Sequence, residues 1–245
     1  MDRRAYEIMA ETEDRHWWFV GRRRILEREI EALGLPRDAG IIDLGAGTGG
    51  NLAMLGRFGR VAAMEPDDGA RAIASARNNV DIRAGTLPDA IPFPDGSADV
   101  VGLFDVLEHV EDDRGSLLAI RRLLKPDGFL ILTVPAHQWL WSPHDEMLHH
   151  FRRYSRSGLR SLAVSSGFRI RKLTFFNAAL FPLAAAVRLS KVKQAGGSSA
   201  GTRIPPGFLN AAMTGILRAE AGLLRFTNLP VGLSLLAILQ KPQAA

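Results

Sequence analysis

Two carboxylates beside a glycine-rich turn are the residues of this chain whose types and spacing point most directly to chemistry. Gly45, Gly47 and Gly50 satisfy the pattern G-x-G-x-x-G, in which the missing side chains let backbone N–H groups approach a ligand closely. The pattern alone is typical of a dinucleotide-binding turn. Asp43 stands just before the first glycine, and Glu65 follows that glycine by about 20 residues, the spacing of a ribose-hydroxyl acceptor.

The two acids favour a cationic cofactor over a dinucleotide. The carboxylate of Asp43 would repel a pyrophosphate group, whereas it would attract a cation. S-adenosylmethionine has a ribose for Glu65, a sulfonium cation and no phosphate, so these residues predict it as the cofactor. The glycine pattern by itself leaves a dinucleotide open.

Four segments, in order along the chain, resemble the motifs of the class I S-adenosylmethionine-dependent methyltransferases. Residues 43–49 (D-L-G-A-G-T-G) are similar to motif I and residues 64–66 (M-E-P) to motif II. Residues 99–110 resemble the fourth-strand motif, and residues 123–131 resemble the turn into the fifth strand. The resemblance, which covers roughly residues 15–175, implies an α/β fold. That fold is a Rossmann-like, seven-stranded, mostly parallel sheet with an antiparallel last strand and a helical insertion between strands 6 and 7.

The resemblance also implies which residues bind the cofactor. Trp17 and Arg22 belong to a segment that looks like the family's cap over the cofactor, where Arg22 would meet the cofactor carboxylate. The aromatic residues of this segment would alternatively form a hydrophobic staple for a helix predicted over residues 21–33. Thr86 stands where relatives often have Asp, which weakens the expected contact with the adenine amino group. The predicted cofactor-binding residues are Trp17, Arg22, Asp43, Gly45, Ala46, Gly47, Asn51, Glu65, Pro66, Thr86, Leu87, Phe104, Asp105, Val106 and His109.

The segment 134–154, after the predicted fifth strand, concentrates ionisable and aromatic side chains. It resembles the H-D-E-x-L-x-H-x-R-R-Y pattern of a bacterial methyltransferase subgroup associated with cell-envelope and glycolipid biosynthesis. A histidine here would accept the proton of an acceptor hydroxyl, because its pKa lies near neutral pH. The candidates for this catalytic role are His109, His144, His149 and His150. The predicted substrate-binding residues are His137, Trp139, Asp145, Arg152, Arg153, Tyr154 and Asn177.

Two other roles for this segment stay open. Arg152 and Tyr154 would lock the loop by hydrogen bonds instead of binding substrate. A metal would take nitrogen and oxygen ligands from His144, Asp145, His149 and His150. The spacing of these residues matches no standard zinc signature, so we predict no metal in this segment.

Charge is distributed unevenly along the chain. Residues 1–150 contain 17 Lys and Arg against 25 Asp and Glu, whereas residues 151–245 contain 14 against a single acid, Glu220. This asymmetry predicts an anionic partner for the second half, such as a membrane surface, a phosphorylated substrate or nucleic acid. A merely solubilising basic face is the alternative. The absence of cysteine excludes disulfides, thiolate metal sites and cysteine nucleophiles.

The 245 residues predict a single methyltransferase domain with four parts. These are N-terminal cap helices over 1–35, a cofactor-binding core over 36–175, a helical substrate or lid insertion over 176–232 and a last strand over 233–241. Hydrophobic periodicity and turn residues divide the core and its edge into alternating strands and helices. Strands are predicted near 40–44, 60–65, 80–83, 98–104, 128–134, 168–175 and 233–240, and helices near 50–58, 67–77, 114–124 and 156–166.

The insertion gives the main indication of the substrate. Helices predicted near 178–190 and 208–225 carry apolar residues edged by Arg and Lys, and a flexible segment is predicted over 194–201. Apolar helices with basic edges suit a membrane interface or a lipid-linked substrate. Alternatively, the two helices bury their apolar faces against each other as a lid.

We therefore expect S-adenosylmethionine-dependent O-methylation of a small or lipid-linked, anionic acceptor. We see neither a secretory h-region nor an apolar run of ~18 residues, so we expect a cytoplasmic protein, with peripheral membrane contact through its basic second half as an option. An RNA methyltransferase is one alternative, but without an N-P-P-Y motif or an RNA-binding module nucleic acid is not an expected partner. A non-catalytic cofactor-binding or scaffold protein is the other.

Overall fold

One seven-stranded sheet positions the other elements of the protein. The computed structural model describes residues 3–189 and 204–243. The strands are β1 (Gly40–Leu44), β2 (Arg60–Met64), β3 (Asp81–Arg83), β4 (Ala98–Phe104), β5 (Leu124–Pro135), β6 (Arg169–Phe176) and β7 (Ser234–Gln240). Their order is β3-β2-β1-β4-β5-β7-β6; β1 to β5 pair in parallel, and β7 runs antiparallel to both of its neighbours. The predicted fold class is confirmed.

Nine α-helices lie within the described residues. They are α1 (Arg3–Thr12), α2 (Trp17–Glu31), α3 (Leu52–Leu55), α4 (Asp68–Arg77), α5 (Asp113–Leu123), α6 (Pro143–Met147), α7 (Arg156–Ser165), α8 (Phe181–Leu189) and α9 (Gly207–Leu224). Short 3-10 turns cover Leu107–His109 and Gln138–Leu140.

Helices cover both faces of the sheet, and the alternation along β5 divides the core between them. Leu130 and Leu132 pack in one apolar cluster with residues of α5 and α7. Ile131, which points the other way, packs in a second cluster with residues of α2 and α9. Both faces of the central strands are therefore buried, as expected for a mostly parallel sheet.

Several boundaries differ from the sequence-based expectation for local reasons. The helix predicted over 21–33 begins earlier, at Trp17, because the His16 ring accepts a hydrogen bond from the Trp18 N–H (3.2 Å) and caps it. The fifth strand also begins earlier than predicted, since Leu124 already pairs with Ala98 across a bulge. The helix predicted near 50–58 shortens to Leu52–Leu55. The predicted flexible segment over 194–201 lies outside the described residues.

Helix α9 packs along α2 rather than pairing with α8 as the lid alternative supposed. Leu217 and Leu224 are fully buried in the cluster that α2 shares. At the crossing, a Cβ on Gly21 would stand 2.3 Å from Leu217 Cδ1, so glycine alone permits this close approach. The Asn210 side chain joins the helix starts, because its Oδ1 accepts from the Trp17 N–H (2.9 Å). The lid alternative is wrong because the apolar face that α9 packs against belongs to α2, a helix nearly two hundred residues earlier in the chain.

None of the described helices combines the length and the apolar character that a membrane-spanning helix needs.

The Gly21 contact makes a stability prediction with an internal control. We expect Gly21→Ala to lower the free energy of unfolding by about 1–2 kcal/mol, because overpacking outweighs the better helix propensity of alanine. Gly215→Ala in α9, whose added Cβ would meet nothing within 4 Å, should raise it by up to about 1 kcal/mol. Urea unfolding of both variants measures the difference. Equal gains at the two positions would contradict the close packing of α2 on α9.

Candidate active site

A cavity of about 870 Å³ opens at the carboxyl edge of β1, β2 and β4, where the loops after these strands meet the α1–α2 segment. An open α/β sheet binds its ligands at such an edge. Its lining brings together the predicted cofactor-binding residues other than Asp43, namely Trp17, Arg22, Gly45, Ala46, Gly47, Asn51, Glu65, Pro66, Thr86, Leu87, Phe104, Asp105, Val106 and His109.

The glycine turn after β1 is shaped by glycine conformations and held by Glu65. Gly45 and Gly47 adopt positive φ angles of 79° and 56°, and a Cβ on Gly45 would stand 2.6 Å from a methyl group of Val106. The carboxylate of Glu65 accepts hydrogen bonds from the Gly47 N–H (2.7 Å) and the Asp67 N–H (3.0 Å). Burial raises the pKa of Glu65 from its usual value, although these two bonds oppose the shift. Glu65 thus both holds the turn and lines the cavity beside it.

Asp43 lies beneath the turn rather than in the cavity lining. Its side chain is 1% exposed, and burial raises its pKa to about 7, against the lowering effect of nearby Arg22. Arg22 itself forms an ion pair with Asp105, whose other oxygen accepts a hydrogen bond from the Thr133 hydroxyl (2.9 Å). The positive φ of Asp105, 58°, turns this carboxylate from the end of β4 toward Arg22.

The amino-terminal segment closes one side of the cavity. Glu13 accepts a hydrogen bond from the Thr48 hydroxyl in the glycine turn (2.8 Å) and pairs with Arg77 of α4. Gly50 permits this approach, because a Cβ there would stand 2.1 Å from a Glu13 oxygen. Tyr6 and Met9 of α1 add to the lining, and the sequence analysis missed both. The sequence signal for this extension of the lining was the carboxylate of Glu13, which belongs to the segment already interpreted as a cap over the cofactor.

Asp145 organises the loop after β5 and is fully buried outside the cavity lining. It accepts hydrogen bonds from Ser142 N–H and Oγ (2.8 Å each), His150 Nδ1 (2.9 Å) and Arg153 Nε (2.8 Å). These donors hold the pKa of Asp145 well below its usual range despite burial. Its position is that of a structural anchor.

Of the other predicted substrate-binding residues in this loop, one lines the cavity and two hold the loop in place. Arg152 pairs with Asp113 (2.9 Å), and the hydroxyl of Tyr154 donates to the same Asp113 (3.1 Å), which is the locking role left open above. Neither residue lines the cavity. Arg153 does, although its guanidinium is bonded to Asp145.

The histidines of the loop also divide. His144 and His150 line the cavity together with His109, whereas His149 does not. His137 lies outside the lining, where its ring stacks on Phe175 (5.2 Å between centroids) and its Nε2 contacts the Gly232 carbonyl (3.1 Å). Trp139 is also outside it and 49% exposed. Sequence spacing could not separate these cases, because an irregular loop has no period that assigns a side to each residue.

Asn177 lies at the far side of the cavity, just after β6. Its backbone has a positive φ of 58°. Glu220 of α9 accepts hydrogen bonds from the Asn177 N–H and from the Ala178 N–H (3.0 Å). The one acid of the basic second half therefore anchors the backbone at this side of the cavity. Glu108 also faces the cavity, and the sequence analysis did not select it although it stands in a quoted motif.

Buried polar atoms around the cavity test whether the predicted cofactor fits. Within the described residues, Asp43 Oδ2, Arg22 Nε and Asn51 Oδ1 are buried without a hydrogen-bond partner. Buried polar atoms of native proteins are rarely left so, which indicates places for a ligand. A carboxylate beneath the turn, a guanidinium and the Glu65 carboxylate match a ligand with a cation, a carboxylate and a ribose. The residues present therefore fit S-adenosylmethionine.

Comparison with known proteins agrees with this geometry. Residues 18–173 match the family described as "Methyltransferase domain". A probable S-adenosylmethionine-dependent methyltransferase of Mycolicibacterium smegmatis is 28% identical over 161 residues, which cover 64% of this chain and 61% of the relative. A demethylmenaquinone methyltransferase of Tropheryma whipplei is 29% identical over 160 residues, with the same two shares of 64% and 61%. The chain thus spans about three fifths of the length of these curated relatives.

A solved structure shares the fold across nearly the whole chain. It comes from the complex between the Trm112 methyltransferase activator and a second protein of Haloferax volcanii, with a TM-score of 0.64 and 20% identity. The superposition covers 99% of this chain and 95% of that one. Together with the family match over more than half of the residues, the site leads to one conclusion. The chain belongs to the methyltransferase domain family, and S-adenosylmethionine is its cofactor.

Proposed function

We propose that the protein transfers the methyl group of S-adenosylmethionine to the hydroxyl oxygen of a small or lipid-linked acceptor. The observation that carries this proposal is the shared cavity, in which the glycine turn with Glu65 and two histidines of the loop after β5, His144 and His150, face the same space. Its volume of about 870 Å³ leaves room for an acceptor beside the cofactor.

The chain's own residues have to align the acceptor and exclude water. The cofactor, when bound, supplies an activated methyl group, so positioning is the main requirement. Glu65 would accept hydrogen bonds from the ribose hydroxyls, and Arg22 would meet the cofactor carboxylate. Trp17 and Trp18, which line the cavity at the start of α2, would shield the reacting atoms from solvent.

A hydroxyl acceptor also needs a base, because its proton leaves as the new oxygen–carbon bond forms. His109, His144 and His150 are the cavity-lining candidates, and His149 lies outside. Burial lowers the pKa of His144, so its imidazole is neutral at neutral pH and can take the proton. Burial, with His150 nearby, lowers the pKa of His109 to about 4, which makes it the weaker base. We assign proton acceptance to His144.

The walls on the acceptor side favour an apolar molecule. Leu140, Leu148, Ala184 and Leu233 line that side, with Asn177 as a polar contact whose Oδ1 is buried without a partner among the described residues. The predicted substrate-binding role of Arg152 and Arg153 loses support, since their guanidinium groups are bound to Asp113 and Asp145. An anionic group of the acceptor would therefore be met outside the cavity.

Helix α9 offers a surface for a lipid-linked acceptor. Opposite its buried face it carries a second apolar stripe, with residues three or four positions apart. The exposed members of the stripe include Phe208, Leu209, Ile216 and Leu223, and Phe226 continues it just beyond the helix. Phe208 and Phe226 are 81% and 84% exposed, and the Arg225 guanidinium lies over the Phe226 ring (5.9 Å). Aromatic residues beside arginines suit an anionic membrane interface.

Cofactor binding is the first test of the proposal. S-adenosylmethionine and S-adenosylhomocysteine at about 100 times Kd should stabilise the protein by roughly 2.7 kcal/mol in thermal-shift titrations. Glu65→Ala should weaken binding at least about 10-fold, because it removes charge-assisted hydrogen bonds to the ribose. Arg60→Ala, at the opposite end of β2, should bind like wild type. A shift with NAD alone, or unchanged affinity in Glu65→Ala, would contradict the proposed site.

The pKa of Asp43 predicts a pH-dependent stability of the ligand-free protein. Its ordinary pKa of 3.8 rises to about 7 in the fold, so the folded state keeps the proton longer and the free energy of unfolding falls as pH rises between these values. Asp43→Asn removes this loss. The difference in unfolding free energy, variant minus wild type, should therefore increase by about 2–3 kcal/mol from about pH 5 to about pH 8.

Urea unfolding at several pH values measures this difference, and Asp99→Asn is the matched control. The pKa of Asp99 is lowered in the fold, chiefly by its hydrogen bond from Lys125 against the opposing effect of burial, so its contribution is constant over this pH range. A flat profile for Asp43→Asn would mean that Asp43 is already ionised in the folded protein.

Vesicle binding tests the α9 surface. We expect the protein to cosediment with phosphatidylglycerol vesicles more strongly than with phosphatidylcholine vesicles, and less so at high salt. Phe226→Ser should weaken the binding about 10-fold or more, because it removes a large exposed apolar group. Val164→Ser, at an apolar position on α7 that is 58% exposed, should not. Failure of wild type to bind either vesicle, or a dimer that Phe226→Ser dissociates, would overturn the membrane assignment.

A further inference from the structure

Three side chains with metal-binding atoms converge in the wall of the cavity. Glu108 and His109 lie in the 3-10 turn after β4, and His150 comes from the loop after β5. One ligand atom from each residue lies within 4.8 Å of the other two. The His109 and His150 rings stand edge to face with their centroids 4.6 Å apart. The convergence joins segments 40 residues apart, so sequence spacing did not reveal it.

Neighbouring groups orient both histidines. His150 Nδ1 donates to Asp145 Oδ1 (2.9 Å), and Asp145 is itself held by Arg153 and Ser142. His109 makes a hydrogen bond to the Leu148 backbone. Each ring therefore has one nitrogen engaged and the other available. Metal-binding histidines typically donate their second nitrogen to a carboxylate or a backbone carbonyl in this way, which fixes the ring and its tautomer.

Glu108 completes the set as a buried carboxyl group. It is 1% exposed, and its Oε2 has no hydrogen-bond partner within the described residues. A buried carboxylate is costly unless it is paired or coordinates a metal. A cation at this position would remove that cost.

We propose that Glu108, His109 and His150 bind one divalent first-row transition-metal ion, with Zn²⁺ as the reference case. Two imidazoles and one carboxylate are the donor set that such ions prefer. Ligand atoms of one ion, bound at about 2.0–2.2 Å, lie at most about 4.4 Å apart, so side-chain shifts of a few tenths of an ångström would complete the site. Positions not taken by protein ligands would face the cavity.

This site differs from the metal alternative considered for the segment 134–154. There, Asp145 was a ligand, but its oxygens are occupied by Ser142, His150 and Arg153. His149 was another, and it lies outside the cavity lining. The prediction of no metal rested on spacing within that segment alone, whereas two of the present ligands come from the turn after β4.

The ion would give the cavity a way to activate an acceptor. A bound divalent cation lowers the pKa of a hydroxyl that binds to it and orients the oxygen. This role rests on the proposed methyl transfer, but metal binding itself does not. With His109 and His150 as ligands, His144 is left among the three candidate bases to take the proton.

The test measures metal binding directly in protein without an affinity tag, stripped of metal by a chelator. Zn²⁺ titration calorimetry gives affinity and stoichiometry, and Co²⁺ absorption bands in the visible range report nitrogen and oxygen ligation. We expect one equivalent to bind wild type. Glu108→Gln and His150→Asn should each weaken binding by about 100-fold or more, which exceeds the effect of losing an outer partner. The Asn side chain can still donate to Asp145, so this variant keeps the loop's anchor.

His149→Asn is the matched control, since Asn tolerates the positive φ of 56° at that position. It should bind the metal like wild type. Equal affinity in wild type and Glu108→Gln, no binding to wild type, or a loss in His149→Asn as large as in His150→Asn would each overturn the site. S-adenosylhomocysteine titration of the same samples separates this result from the proposed function, because cofactor binding can succeed where metal binding fails.

Discussion

The burial of acidic side chains at the carboxyl edge of the sheet is the constraint on which the site depends. Asp43, Glu65 and Glu108 all lie there with little exposure, and burial raises the pKa of each. Such carboxylates cost free energy unless positive charge or hydrogen bonds compensate them. Arg22, the cation nearest to Asp43, is shared with Asp105. Burial therefore favours the neutral forms of these acids in the ligand-free protein, and a cationic ligand bound at this edge would favour their charged forms.

Asp145 is also a buried acid, but hydrogen bonds compensate its charge. It is as buried as Asp43, but five hydrogen bonds from the loop keep its pKa low. The difference separates acids that build the structure from acids that remain available to a ligand. The loop after β5 folds around the compensated acid, and it then carries His144 and His150 to the cavity. The hydrogen bonds of Asp145 thus stabilise the loop, and the loop in turn holds His144 and His150 beside the acids whose hydrogen bonding is incomplete.

Local patterns predicted the parts of the fold and site that depend on neighbouring residues. The glycine turn and Glu65 at the end of β2 follow from motif spacing, and the antiparallel last strand follows from the resemblance to the methyltransferase family. The pairing of Arg152 with Asp113, and the contact of Gly21 with Leu217, join residues far apart in the chain. Their geometry arises only when the helices pack. Glu108 remained hidden for the same reason, because its unpartnered oxygen is a property of the assembled core.

Helix α9 belongs to the basic second half of the chain and packs on the acidic first half. Its inner face packs on α2, and its Asn210 fixes the start of that helix, where Trp17 lines the cavity. Its Glu220 holds the backbone of Asn177 at the opposite side of the same cavity. Its outer face bears the exposed apolar stripe. A lipid surface bound to that stripe would contact the helix that positions two walls of the cavity. The proposed membrane docking would therefore be linked mechanically, through this one helix, to the shape of the proposed acceptor site.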